Sequence, residues 1–421
     1  MIRRVFILSL IAGCLAGLSV SQTVATVHAA DARTSSYSLD DLLTLALERN
    51  PALAGAEGIV RQSRGQQIAA GAYPNPSVSG NAGRGAIRDP STGARITERT
   101  VTVEQPLEWT GKRQARQEAA DAGVAGAHAA LEETRLGLLS DVKVAFYQLL
   151  FAQRDAELAA QNVGAVEEVL RTVKSRVAAG EATSFDTMKS TVELQKAQKD
   201  VARAQNALIV AKTRLNTLTA GALGKEFSIR GDFQPLKQGF DLDRLMARAL
   251  DEHPTVRRLT KLTEQAEHTV RLERESRIPG VSVQGSYHRE AGDESLTAGL
   301  SIPIPLWYRR QGEIEAALGA KHRAEADRLR MRNEIEQAIV QHGQEVRTAQ
   351  DQLQVFETGL LKQAEQTLIV ARTSFRQGAA SLLDVLDAQR VYRQILLEYA
   401  QVRADLSIAL ARLERSLGGT L

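Results

Sequence analysis

The stretch "GAASLLDVLDAQ", Gly378 to Gln389, carries two carboxylates three residues apart, Asp384 and Asp387. On a helix, residues at that spacing share a face. At the lip of a pore, such acids form rings that favour cations. They are equally compatible with ordinary helix-start chemistry. In that case Asp384 answers the macrodipole and Asp387 is simply solvated. The stretch has a counterpart in "GEATSFDTMKST", Gly180 to Thr191, and both fit Gly-x-x-(Ser/Thr)-x-x-Asp. Gly180, Thr183 and Asp186 stand where Gly378, Ser381 and Asp384 stand, but Lys189 takes the place of Asp387. Other reactive constellations are absent. The sequence has no P-loop, no Gly-x-Ser-x-Gly and no His-Glu-x-x-His. Six of the seven histidines, those beyond the N-terminal 30 residues (His128, His253, His268, His288, His322 and His342), never pair at ligand spacing. No catalytic residue, cofactor site or resident metal site is read from the chain.

Long helices must position the two turns. Ahead of Gly180, apolar or small residues run from Leu138 through Val142, Ala145 and Leu149 to Val177, alternating four and three apart. That is a sustained heptad seam, and it predicts left-handed supercoiling. A second seam runs from Leu194 to Leu218. Adding 198 to each of its positions gives Tyr392 through Leu413 to Ser416, apolar in all but the last. Another outgoing seam runs from Ile335 to Leu360. Each half of the chain therefore holds a coiled-coil hairpin that turns at the motif. The first outgoing arm, about 70 residues from Thr110, spans roughly 105 Å at about 1.5 Å per residue. Return arms of about 35 residues reach roughly half that, so the short helices before the strands are expected to stack on them end to end. Aromatics are only 4% of the chain, which suits long helices packed by small residues. The net charge of +3 gives no electrostatic case for nucleic acid.

The duplication extends beyond the hairpins. "SLDDLLTLALERNPAL" (Ser38–Leu53) matches "DLDRLMARALDEHPTV" (Asp241–Val256), and "QPLEW" (Gln105–Trp109) is echoed by "PIPLW" (Pro303–Trp307). We divide the chain into residues 1–30, a secretory signal, and two structural repeats, 31–230 and 231–421. Each repeat reads as short helices, two strands and a long hairpin. Arg3 and Arg4, the apolar run Val5–Val20 and the small residues of "VHAA" make the signal, with cleavage expected after Ala29 or Ala30. "IAGC", ending at Cys14, also resembles a lipoprotein acylation site. Cys14 is the only cysteine, so no internal disulfide forms.

Four alternating stretches, "PSVSGNAG", "RTVTVEQ", "GVSVQGSYH" and "SLTAGLSIP", read as strands of about nine residues joined by loops such as "GRGAIRDPSTGA" and "REAGDE". That length suits a tilted membrane strand, and Trp109, Tyr287, Trp307 and Tyr308 lie near strand ends, as interface aromatics do. Four strands cannot close a barrel, and open edges are not tolerated in lipid, so several chains must share one barrel. A soluble periplasmic coiled-coil scaffold, with the strands outside any membrane, is the rival reading from another class.

In order and duplication these features resemble the TolC-like outer membrane efflux protein family over nearly the whole mature chain. The resemblance rests on "ALERNP" and "ALDEHP", the strand starts, the two turns and "SLLDVLDAQRVY…LARLERSLGG". "PLEWTGKRQAR" and "SIPIPLWYRRQGEIEAA" look most like its heavy-metal-resistance branch. The resemblance implies a mainly α homotrimer. Its three chains share a 12-stranded outer membrane β-barrel and a long periplasmic α-helical barrel. It also implies a periplasmic adaptor and an inner membrane pump of the resistance–nodulation–division type as partners, with metal cations as cargo. Drugs or secreted polypeptide are the alternative cargo. By the same resemblance, Asp384 and Asp387 ring the periplasmic entrance. Gly180, Thr183, Asp186, Gly378 and Ser381 form the tips that receive the adaptor.

Overall fold

The computed structural model describes residues 35–88, 90–93, 95–234 and 241–420. The signal and Cys14 lie outside the described residues. Strand β1 (Ser35–Tyr37) leads into α1 (Leu39–Arg49) and α2 (Pro51–Gly71). Then come β2 (Ser77–Arg88), β3 (Arg95–Leu107), α3 (Thr110–Ala178), α4 (Ser184–Leu218) and the short β4 (Phe227–Ile229), which pairs in parallel with β1. The second half repeats the order. It has α5 (Leu242–Glu252), α6 (Pro254–Glu275), β5 (Val281–Glu290), β6 (Asp293–Ser301), α7 (Gln311–Val355), a π-helical turn (Phe356–Leu360), α8 (Leu361–Arg376) and α9 (Leu382–Leu417). Among the described residues, no helix is long and apolar enough to cross a membrane.

The four larger strands form one antiparallel sheet in the order β2-β3-β5-β6. Its register separates two faces. Val78, Val101, Val103, Val283, Tyr287, Leu296 and Leu300 share one face; Ser79, Thr100, Thr102, Ser286, His288 and Thr297 share the other. The polar face is internally bonded: Thr102 Oγ1 lies 2.9 Å from Ser286 Oγ, and Thr100 Oγ1 lies 2.9 Å from His288 Nδ1. One lipid-compatible face and one polar face are the pattern of a membrane barrel wall. β2 and β6 are left as edges, and other chains must pair them.

Two sequence expectations need correction here. β2 and β3 run 12 and 13 residues, not nine, because "GRGAIR" continues β2 instead of forming a loop. The β5–β6 connection shrinks to the two residues Ala291 and Gly292, both at positive φ (52° and 98°), as a tight hairpin turn demands.

The helices form a single layer. α3 packs between the α2/α4 column and the α6/α9 column, and α7/α8 closes the far side. The short helices do stack end to end on the return helices. Asn50, the N-cap of α2, accepts from Ala52 N–H and donates through Nδ2 to Leu218 O at 2.8 Å, at the end of α4. His253 does the same for α6 and α9: its Nδ1 accepts from Thr255 N–H, and its Nε2 lies 3.1 Å from Arg415 O. The outer flanks of the layer expose Ile209 and Val210 on α4 and Ile369 and Val370 on α8, a face another copy can cover. Central α9 is far more buried than flanking α4, although the two share one heptad register.

His253 gives this joint a pH dependence that Asn50 lacks. Burial holds its pKa below the ordinary histidine range, against the pull of Arg415 O and Glu133. Protonation would turn Nδ1 into a donor facing the Thr255 N–H. A depressed folded pKa stabilises the fold above the unfolded value of about 6.5, and that stability is lost as pH falls through the folded pKa. We expect His253→Asn to match wild type at pH 7.5 and to melt higher than wild type at pH 5. Thermal unfolding at both pH values checks this.

The second outgoing arm holds the main departure from the sequence reading. The spacing predicts an uninterrupted seam to Leu360, but the helix passes through a π-turn with Gly359 at φ 162°, ψ −23°. Matching seams shows why. Leu138, Val142 and Leu149 correspond to Ile335, Ile339 and Val346, 197 residues on, whereas Val166, Leu170 and Val177 correspond to Ala364, Leu368 and Phe375, 198 residues on. One extra residue sits between them, and a π-turn is how a helix absorbs a single insertion without losing its buried face. Phe356, Ala364, Leu368 and Phe375 are all buried.

Candidate functional site

Both hairpin tips are built from the same local parts. At the end of α3, Gly180 N–H bonds to Val177 O and Glu181 N–H to Arg176 O; after α8, Gly378 N–H bonds to Phe375 O and Ala379 N–H to Ser374 O. These are Schellman motifs, and they need the left-handed φ of 79° and 78° that the glycines supply. Three residues on, a capping box opens each return helix. Thr183 and Asp186 exchange side-chain and backbone bonds at α4, and Ser381 and Asp384 do so at α9. The seven-residue motif is therefore a complete helix stop followed by a complete helix start.

This assigns the acids different jobs. The Ser381 hydroxyl and backbone amide hold the Asp384 carboxyl below its ordinary range, and Thr183 does the same for Asp186, so both stay ionised. Asp387, one turn further, pairs with Arg390 and not with solvent alone. Lys189 and Asp387 line the same cavity of about 340 Å³ between α4 and α9. The Lys-for-Asp difference between the repeats thus puts opposite charges on the two hairpins where they meet.

Three ties between the hairpins were not legible in the sequence. Arg393 on α9 bonds Asp200 on α4 at 2.9 Å, both about one-fifth exposed. Gln389 Nε2 reaches Asn162 Oδ1 at 3.2 Å, while its own Oε1 is buried without a partner among the described residues. Arg176 bonds Phe375 O at 3.2 Å and lies over the Phe375 ring, above a cluster of Val169, Val173, Leu382 and Val385. Each joins residues about 190 or more apart in sequence, so spacing carried no signal. A second omission had a signal. Phe185 and Leu383, equivalent positions in the two repeats, fall off the seam immediately after the turn, and both are exposed. Among the described residues, no group of three or more His, Cys, Asp or Glu side chains is placed to hold a metal.

A family profile described as "Outer membrane efflux protein" matches residues 42–221 and 245–419. The chain belongs to the outer membrane efflux protein family. That family carries two repeats per chain and forms trimers around a shared barrel, with the sheet in the outer membrane and the helices in the periplasm. Its members are channels. Among curated relatives, the chain is 26% identical over 382 residues to the cobalt-zinc-cadmium resistance protein CzcC of Cupriavidus metallidurans, covering 90% of each chain. It is 24% identical to the nickel-cobalt-cadmium resistance protein NccC of Alcaligenes xylosoxydans xylosoxydans, over 73% of this chain and 69% of that one. Among solved structures, the CmeC outer membrane channel of Campylobacter jejuni superposes with a TM-score of 0.78 at 17% identity, covering 90% of this chain and 85% of that one. In a trimer that shares one barrel, β2 and β6 are the strand edges free to pair between protomers.

Proposed function

We propose that this efflux channel is the passive exit duct of a tripartite pump for heavy-metal cations. The observation that carries the reading is the end-to-end similarity to a cobalt-zinc-cadmium resistance protein, over 90% of both chains. The tips supply the chemistry. Asp186 and Asp384 stay ionised at each turn, and with Asp387 they make the periplasmic entrance acidic. A water-filled acidic mouth concentrates cations without holding them in a tight site. Arg390 offsets part of the Asp387 charge, so the contribution of Asp387 is read from reversal potentials of Asp387→Asn in planar bilayers.

A periplasmic adaptor docks on the tips. Gly180 and Gly378 leave the turns bare, and Phe185 and Leu383 present exposed apolar side chains beside them. The pump behind the adaptor is of the resistance–nodulation–division type. A second cargo reading has one observation in its favour: the chain is also 24% identical, over 90% of its length, to a pyoverdine export outer membrane protein of Pseudomonas aeruginosa. Deleting the gene separates the two. The metal reading expects cells to become sensitive to cobalt, zinc or cadmium and to accumulate the metal, with complementation by the wild-type gene. Unchanged metal tolerance together with lost export of a small organic molecule would overturn it.

A further inference from the structure

The junction between sheet and helices exposes an aromatic and basic patch. Trp307 is 90% exposed and Tyr308 56% exposed where β6 gives way to α7, and Trp109 is 50% exposed at the matching position after β3. Four acids of this level are already engaged. Glu108 pairs with Arg116, Glu273 with Arg310, Glu275 accepts from Trp109 Nε1, and Glu313 accepts from Tyr308. Three of the cations are not. The side chains of Lys112, Arg277 and Arg309 have no hydrogen-bond or ion-pair partner among the described residues, and they lie five, four and eight residues from the nearest strand end. Lys112 also sits in the first turn of α3, where the helix dipole disfavours a cation. Local structure therefore explains neither the surplus charge nor its placement.

We propose that this junction is a binding surface for anionic phospholipid headgroups at the periplasmic face of the outer membrane. The aromatic rings lie at the depth of the glycerol and carbonyl groups, which favour amphipathic rings. Lys112, Arg277 and Arg309 take the phosphates, as basic side chains beside a membrane segment do. The three-fold assembly repeats the patch, so each channel gathers a collar of anionic lipid.

The test uses the chain's own probes, because Trp109 and Trp307 are its only tryptophans. The trimer is reconstituted into vesicles containing equal fractions of either brominated phosphatidylglycerol or brominated phosphatidylcholine, with bromines in the upper acyl chain. Wild type should show tryptophan quenching about twofold stronger with the anionic lipid, and the preference should fall as salt is raised. The triple variant Lys112→Gln, Arg277→Gln, Arg309→Gln should keep its trimer mass and quench equally with both lipids. Equal quenching of wild type by the two lipids overturns the proposal. So does absence of quenching by either, which would place the tryptophans against a neighbouring protomer, and so does a triple variant that keeps the preference.

Discussion

Deletion of Gly359 should leave a chain that still assembles trimers and still exports, whereas deletion of Ala160 at the matching level of α3 should abolish assembly. Ordinarily, removing one residue from a long helix rotates everything beyond it by about 100°. In α3 that would swing Val166, Leu170 and Val173, all buried, out of the seam. At roughly 1.5–3 kcal/mol for each side chain, the loss is about 5–9 kcal/mol. That is comparable with the whole stability of a typical domain, about 5–15 kcal/mol. In the second arm the same deletion removes the extra residue. The seam then runs from Phe356 through Leu361 to the later positions at continuous heptad spacing, and the π-turn becomes ordinary helix. Detergent-corrected trimer mass and metal tolerance of the two deletions check this. A Gly359 deletion that fails to assemble would show that the π-turn is required in its own right.

At the tip, Gly378→Trp should lose efflux while the trimer stays intact, and Gly378→Ala should keep most of it. Any side chain there meets the strain of a left-handed φ of 78°, worth about 1–2 kcal/mol. It does not meet a crowded fold. A Cβ on Gly378 has only Arg176 Nη2 near it, at 3.9 Å, and one on Gly180 has nothing within 4 Å. Alanine therefore carries the strain without the bulk, and tryptophan carries both. If the tip docks an adaptor, crosslinking to the adaptor falls with size and not with strain. Equal loss in both variants would mean that the glycines serve only the Schellman turn. Retained crosslinking of Gly378→Trp would remove the tip from the interface.

The carboxylates mark a similar division between local and tertiary causes. The reading of Asp384 as a helix-start acid and the reading of it as an entrance acid are both compatible with the structure, because a capping box leaves its carboxylate ionised and exposed. Replacing Asp384 therefore disturbs the turn as well as the charge. Asp387 is the cleaner probe, since its partner among the described residues is Arg390 on its own helix.

Whatever depends on short-range periodicity was decided by the sequence. The heptad seams, the two hairpins, the helix stops before Pro51 and Pro254, the alternating strands and the need for several chains follow from spacing, because helix and strand geometry impose fixed periods on burial. The tertiary structure decided what depends on the order of elements across the layer. The same heptad register yields a buried α9 and a half-exposed α4, since only α9 has neighbours on both sides. The π-turn was present in the sequence as a change of repeat offset from 197 to 198, but only the buried positions on either side reveal which offset applies where. The Asp200–Arg393 pair, the Asn162–Gln389 bond and the meeting of Lys189 with Asp387 in one cavity join residues far apart along the chain. No local pattern encodes such contacts, because they exist only once supercoiling has laid one hairpin against the other.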